Sequence, residues 1–401
     1  MRAAVDLRPL RGSADFRRLW LTGAASQIST QIAVVAVLVR VWELTGSSVW
    51  VGAIGLGTGV ATGVAGLLGG ALADRVDRRT LVLGTRTGSA VAAALLALQA
   101  AAGVESVGLL LGLVTAQTAC AALGSSARRT FVPRLLPRDQ VGAGLALDHL
   151  AFQIAMLGGP ALGGILVAGW GAQGAFAVDA AVTVAALYGV ARLPRMRPEV
   201  DGSPRSLLAG FGVAMRTPVL RGALLVDLAQ TLLAMPIALF PAINAARFDG
   251  DPRTLGFLLS AIAVGGMVAG SLSGPVARAA RPGGLSVVAA AVWGAALAGF
   301  GLVDGLWPTL ACLAVAGAAD TVSVIARGTL VQLATPDGVR GRVTSVEYVV
   351  GAGGPGVGNA RAGFVAGFAG PEVAALTGGA ACVVAVALTA VTHPALWNWR
   401  S

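Results

Sequence analysis

Long, nearly uncharged apolar runs recur along the whole chain, and no other feature constrains its fold as tightly. Runs of about 20 apolar residues read as membrane-spanning helices. They fall at about 19–42, 49–72, 80–101, 106–126, 141–168, 173–192, 219–243, 254–277, 284–303, 307–329, 342–368 and 373–396. Charged residues make up only 12% of the 401, against roughly 25% in soluble domains. A soluble globule of this size could not hide so much apolar surface. The composition therefore excludes a soluble enzyme, a disordered chain and a nucleic-acid-binding arm.

The charge pattern sets topology. All 29 basic residues are arginine and the net charge is +10. Arginines cluster before helix 1, after helices 2 and 4, between helices 6 and 7, and in the later even-to-odd loops. Only Arg40, Arg247, Arg253 and Arg361 fall on the other side. Positive charge gathers in cytoplasmic loops, which predicts a multi-pass plasma-membrane protein with both termini cytoplasmic. Cys120, Cys312 and Cys382 each lie inside an apolar run. That placement argues against a disulfide framework and a metal site.

One long internal polar stretch, 193–216, divides the chain. It predicts an N-terminal six-helix bundle over 1–192, a cytoplasmic linker over 193–216 and a C-terminal bundle over 217–401. At an offset of 199, Ala127-Arg128 matches Ala326-Arg327, Asp148 matches Glu347, and Gly159 and Gly164 match Gly358 and Gly363. Two such halves in parallel repeat form a transporter architecture. Glycines recur at four-residue steps in helix 2 (Gly55, Gly59, Gly63), helix 5 (Gly159, Gly163), helix 8 (Gly266, Gly270, Gly274) and helix 11 (Gly354, Gly358). Small residues at this spacing let backbones approach closely, so contact between the halves is expected there.

After helix 2 comes Gly70-Ala71-Leu72-Ala73-Asp74-Arg75-Val76-Asp77-Arg78-Arg79. This resembles the signature loop of the major facilitator superfamily, with Asp77 where a second glycine is usual. Helix 5 holds Gly159-Pro160-Ala161-Leu162-Gly163-Gly164, similar to the motif of the superfamily's exporters. Short stretches such as Phe16-Arg17-Arg18-Leu19-Trp20, Leu255-Gly256-Phe257-Leu258 and Gly341-Arg342-Val343 resemble the enterobactin-exporter and efflux-permease branch. The resemblance implies an all-α membrane protein of the major facilitator fold: twelve transmembrane helices in two pseudo-symmetric six-helix bundles. It implies a gating role for Gly70, Asp74, Arg75, Arg78 and Arg79. It implies an export role for Gly159, Pro160, Gly163 and Gly164, whose proline bends the helix while the glycines let the bend pack. It also implies a central cavity lined by helices 1, 4, 7 and 10.

Those four helices are polar on one side. The cavity candidates are Gln27, Gln31, Gln117, Asp227, Gln230 and Asp320. An acid at a lipid-facing centre would cost roughly 2.5–3.5 kcal/mol, so Asp148, Asp179, Asp227, Asp320 and Glu347 should face protein or water. Asp227, Asp320, Asp148 and Glu347 are the candidates for proton coupling. Asp227 and Asp320 have a structural alternative, pairing with an arginine such as Arg327, two turns from Asp320. Asp148 and Glu347 have gating as theirs, and Asp179 is expected to hydrogen-bond structurally. Amides, hydroxyls and acids, with no arginine near mid-membrane, favour a neutral or cationic amphiphile over a free anion.

The sequence therefore predicts a secondary active exporter of a small amphiphilic molecule, drug-like or siderophore, with proton antiport. The alternatives are a dedicated siderophore exporter or a non-transporting sensor on the same scaffold. No ATP-binding loop, metal cluster or catalytic triad is encoded, so no cofactor and no enzymatic activity are expected. The expected partners are substrate, protons and membrane lipid, with no nucleic acid, and the chain is expected to be monomeric.

Overall fold

The computed structural model describes residues 6–73, 75–193, 207–271 and 273–400, with the side chains of 129, 207–210, 337–338 and 341–342 left aside. Asp74, most of the expected linker and the Gly341-Arg342 side chains lie outside the described residues. Ten helices among those described are long and apolar enough to cross a bilayer. The longest, Arg138–Ala191, holds two spans. Gly171 takes φ 69 and ψ 176, a conformation open to glycine, and separates 141–170 from 172–191. The twelfth span is Asp337–Ala369, with 33 residues, about 50 Å long at 1.5 Å per residue.

The spans are α1 (Ala14–Thr45), α2 (Ser48–Ala73), α3 (Arg78–Ala101), α4 (Val107–Arg129), α5 (141–170) and α6 (172–191). They continue as α7 (Pro218–Arg247), α8 (Pro252–Ser271), α9 (Pro282–Leu302), α10 (Leu306–Ala334), α11 (Asp337–Ala369) and α12 (Pro371–Thr392). Local chemistry sets several starts. Asp77 caps α3 by accepting from the Thr80 N–H at 2.9 Å, and Ser106 caps α4 through the Leu109 N–H. Proline opens α7, α8, α9 and α12, where its missing N–H costs nothing.

Two compact units form, residues 1–44 with 60–202, and residues 45–59 with 203–401. In the first, α3 packs on α4 and on the helix that holds α5 and α6. Phe131 in the short helix Phe131–Leu135 is fully buried against Leu19, Val82 and Val190. In the second, α9 packs between α10 and α12, and α8 lies on α10. Phe240 and Phe300 meet edge to face at 5.6 Å in its core. The first half of α2 belongs to this second unit. A Cβ on Gly59 would lie 2.7 Å from the Gly356 Cα of α11, so these helices cross backbone to backbone.

The expected unbroken span at 219–243 is interrupted. After Pro218–Leu228 the chain widens into a π-turn at Ala229–Leu233, leaves helical geometry at Ala234, and resumes through Ile237–Leu239 to Phe240–Arg247. Pro236 and Pro241 remove two donors and obstruct the preceding carbonyls. Side chains then satisfy the freed backbone. Trp293 Nε1 donates to Ala234 O at 3.0 Å, Arg361 donates to Leu233 O, and Asn359 Oδ1 accepts from Ala238 N at 3.0 Å. In a bilayer an unpaired backbone group would cost several kcal/mol.

Candidate functional site

In the second unit, polar groups converge between α7, α10 and α11. Arg327 Nη2 lies 2.8 Å from Asp227 Oδ1, with both side chains at most 10% exposed. Gln230, one turn on from Asp227, accepts from Ser323 Oγ at 2.8 Å and from Arg327 Nη1 at 3.4 Å. Its Nε2 is buried and has no partner. Asp320 and Glu347 are half-buried and lie within electrostatic reach of Arg327. One guanidinium thus pairs with Asp227 and lies within electrostatic reach of two further carboxylates. The spacing of Asp320 and Arg327 suggested a pair on one helix, but the 2.8 Å partner is Asp227 on another.

Pairing with Arg327, the structural alternative named for Asp227 and Asp320, is found at Asp227. Helical side chains tilt toward the helix N-terminus. On α10 that tilt carries the Arg327 side chain back from the end of the span toward the middle.

In the first unit, Asp179 on α6 is 1% exposed. It accepts from Ser29 Oγ and Gln117 Nε2, both at 2.8 Å, and from Thr183. These bonds tie α6 to α1 and α4. Gln117, a cavity candidate, is therefore committed to Asp179. Gln31 donates to Met156 Sδ at 2.9 Å, and Gln27 is half-buried. Asp148 lies within electrostatic reach of Arg128.

The glycine motifs sit at close crossings inside each unit. Gly159, Pro160, Gly163 and Gly164 are all buried. A Cβ on Gly159 would lie 2.5 Å from the Gln31 Cβ, and one on Gly163 3.0 Å from the Ile32 Cα. The proline motif therefore seats α5 directly on α1. In the last turn of α2, Gly70 is roomy, with Ser126 Oγ 3.9 Å from its would-be Cβ. The tight crossing belongs to its neighbour Gly69, whose Cβ would lie 2.9 Å from the Leu123 Cα of α4. Arg75 is exposed. Arg78 Nε donates to Ala73 O at 3.4 Å, and Arg79 Nη2 to Ala191 O at 2.6 Å, closing the end of α6.

Long apolar helices in two units, with charged groups held inside them, define a multi-pass membrane transporter of the major facilitator type. The chain belongs to the transmembrane secretion effector family, whose profile matches residues 4–399. It is 29% identical over 345 residues to the enterobactin exporter EntS of Shigella boydii serotype 18, covering 85% of this chain and 83% of that protein. Among solved structures it resembles the nucleoside transporter NupG, with a TM-score of 0.80, 13% identity, and coverage of 96% of this chain and 100% of that one. A D-xylose–proton symporter matches with a TM-score of 0.71, 14% identity, and coverage of 93% and 96%. These likenesses establish the transporter fold and lend nothing to a non-transporting sensor.

Proposed function

We propose that the chain is a secondary active exporter that moves a small amphiphilic molecule out of the cell by alternating access, in exchange for protons. The observation that carries this reading is the buried Asp227–Arg327 ion pair, with Asp320 and Glu347 within electrostatic reach of the same guanidinium. A buried ion pair that loses one partner is left with an uncompensated charge. Here a proton can settle on one carboxylate while Arg327 keeps another as counter-ion. Proton uptake is thereby made affordable inside an apolar bundle, which is what coupling requires. The unpartnered Gln230 amide beside the pair offers a substrate acceptor a hydrogen bond at the same place. Substrate binding and protonation then act on one group.

The export direction is supported by the proline–glycine motif of α5 and by relatives named as enterobactin exporters. Those relatives also favour the second reading, a dedicated siderophore exporter. Two further parts of the reading follow from the arginine pattern: both termini cytoplasmic, and Arg78 and Arg79 near lipid phosphates.

The test uses the full-length protein in liposomes loaded with a pH-sensitive dye, with enterobactin and a lipophilic cationic drug as the two probes. One of them is expected to drive proton movement that Asp227→Asn abolishes. A probe transported equally well with and without a pH gradient would overturn proton antiport.

A further inference from the structure

Two half-buried arginines in the first unit remain outside the roles described so far. Arg86 lies eight residues into α3, about 12 Å from its start, too deep for a loop charge that only sets topology. Its Nη1 donates to Ser26 Oγ at 2.9 Å. Arg128, at the end of α4, lies against the same stretch of α1. A Cβ on Gly23, one turn before Ser26, would fall 2.7 Å from Arg128 Nη2. The two guanidiniums are within electrostatic reach of each other, so their charges repel. Asp148 acts on Arg128 from beyond salt-bridge distance, and among the described residues neither arginine forms a salt bridge. Asp179, buried on α6, is bonded to Ser29, Gln117 and Thr183. None of the unbonded nitrogens of Arg86 and Arg128 is sealed from solvent.

The repeat sharpens the contrast. Arg128 and Arg327 are equivalent positions, as are Asp148 and Glu347. The second unit adds Asp227 and Asp320 around its arginine, while the first adds a second arginine. A charge as deep in its helix as Arg86 is costly and marks function by default. Two like charges facing one turn of α1 are best compensated by an anion placed between them.

We infer that Arg86 and Arg128 form a substrate subsite for an acidic oxygen group, a carboxylate or a catecholate, on the molecule transported. The subsite rests on the transport reading above and deepens it by naming the chemistry of one group on the substrate. Guanidiniums suit this role because their paired N–H donors match two oxygens at once. Gly23 leaves room for the Arg128 side chain, and Ser26 holds Arg86 in place.

The test measures binding of matched probes to the full-length protein in nanodiscs. The probes are an aryl carboxylate, a catechol, and the neutral methyl ester and dimethyl ether of the same rings. The acidic probes are expected to bind more tightly than their neutral counterparts. Arg86→Gln or Arg128→Gln should weaken the acidic probes roughly tenfold to a hundredfold, leaving the neutral ones unchanged. Arg86→Lys should recover part of the loss. Which acidic probe loses more identifies the group recognised. The neutral probes and the melting temperature serve as folding controls. Acidic probes that bind no better than neutral ones, that fail to bind, or that bind the glutamine variants as well as the parent would overturn the subsite. Proton antiport is read separately: loss of substrate-driven proton flux with intact acid preference sinks that reading alone.

Discussion

The Arg327 guanidinium on α10 lies 2.8 Å from the Asp227 carboxylate on α7, and both side chains are almost withdrawn from solvent. Neither residue could stand alone there. Removing one partner of a buried pair typically costs 3–5 kcal/mol, because the other is left charged and unpaired. Arg327→Ala or Asp227→Ala should therefore lower the melting temperature of the purified protein sharply. The double variant Asp227→Asn/Arg327→Gln should recover much of that loss. Additive losses in the double variant would show that the two charges do not depend on each other.

The Asp179 node predicts an ordering of variants. Its carboxylate accepts from Ser29, Gln117 and Thr183. Asp179→Ala strands these donors in a buried site, at about 1–3 kcal/mol for an unsatisfied group. Asp179→Asn keeps one acceptor, and the serine and threonine hydroxyls can rotate to accept from the new amide. Thermal melts should rank parent, Asn and Ala in descending stability. An asparagine variant as unstable as the alanine one would mean that charge, not hydrogen bonding, holds the node.

Backbone crossings give a third, purely steric prediction. A side chain at Gly59 would collide with the Gly356 Cα, 2.7 Å from its Cβ, whereas a Cβ on Gly63, one turn on, meets nothing within 4 Å. Overpacking a tight contact costs about 1–3 kcal/mol. Gly59→Leu should reduce folded yield and transport, and Gly63→Leu should leave folded yield near that of the parent. Equal yields for the two would remove steric closeness as the reason for glycine at position 59.

Much of the fold is legible in the sequence because membrane spans announce themselves one residue at a time. Apolar run length marks all twelve spans, and ten helices among the described residues meet it in the structure, one of them holding two spans. The break in α7 is harder to see. Pro236 and Pro241 are visible, yet whether prolines kink or unwind a helix depends on neighbours such as Trp293, Asn359 and Arg361, which arrive from distant sequence. The sequence offers Arg327 to both Asp227 and Asp320, and only packing chooses between them. Spacing along α10 brings Asp320 and Arg327 to mind together, while the ion pair joins Arg327 to a residue 100 positions earlier. Gly69 is a similar case: it makes the close crossing with α4, but Gly70 is the one the family motif highlights. Helical periodicity specifies a face, and packing decides which residue on that face makes contact.

Orientation is the last prediction, and it tests the arginine pattern independently of any mechanism. The loops rich in arginine should face the cytoplasm, because positive residues resist translocation across the membrane. Arg11 precedes α1 and Glu105 lies between α3 and α4, both exposed. In a background with Cys120, Cys312 and Cys382 replaced by alanine, Arg11→Cys should be protected from an impermeant thiol reagent added to intact cells. Glu105→Cys should react within the same exposure. Neither substitution removes a buried contact, so both proteins should reach the membrane in normal amounts. Permeabilising the cells should expose the cysteine at position 11 without changing the signal at 105. Labelling at position 11 in intact cells, with protection at 105, would invert the topology and with it the direction assigned to transport.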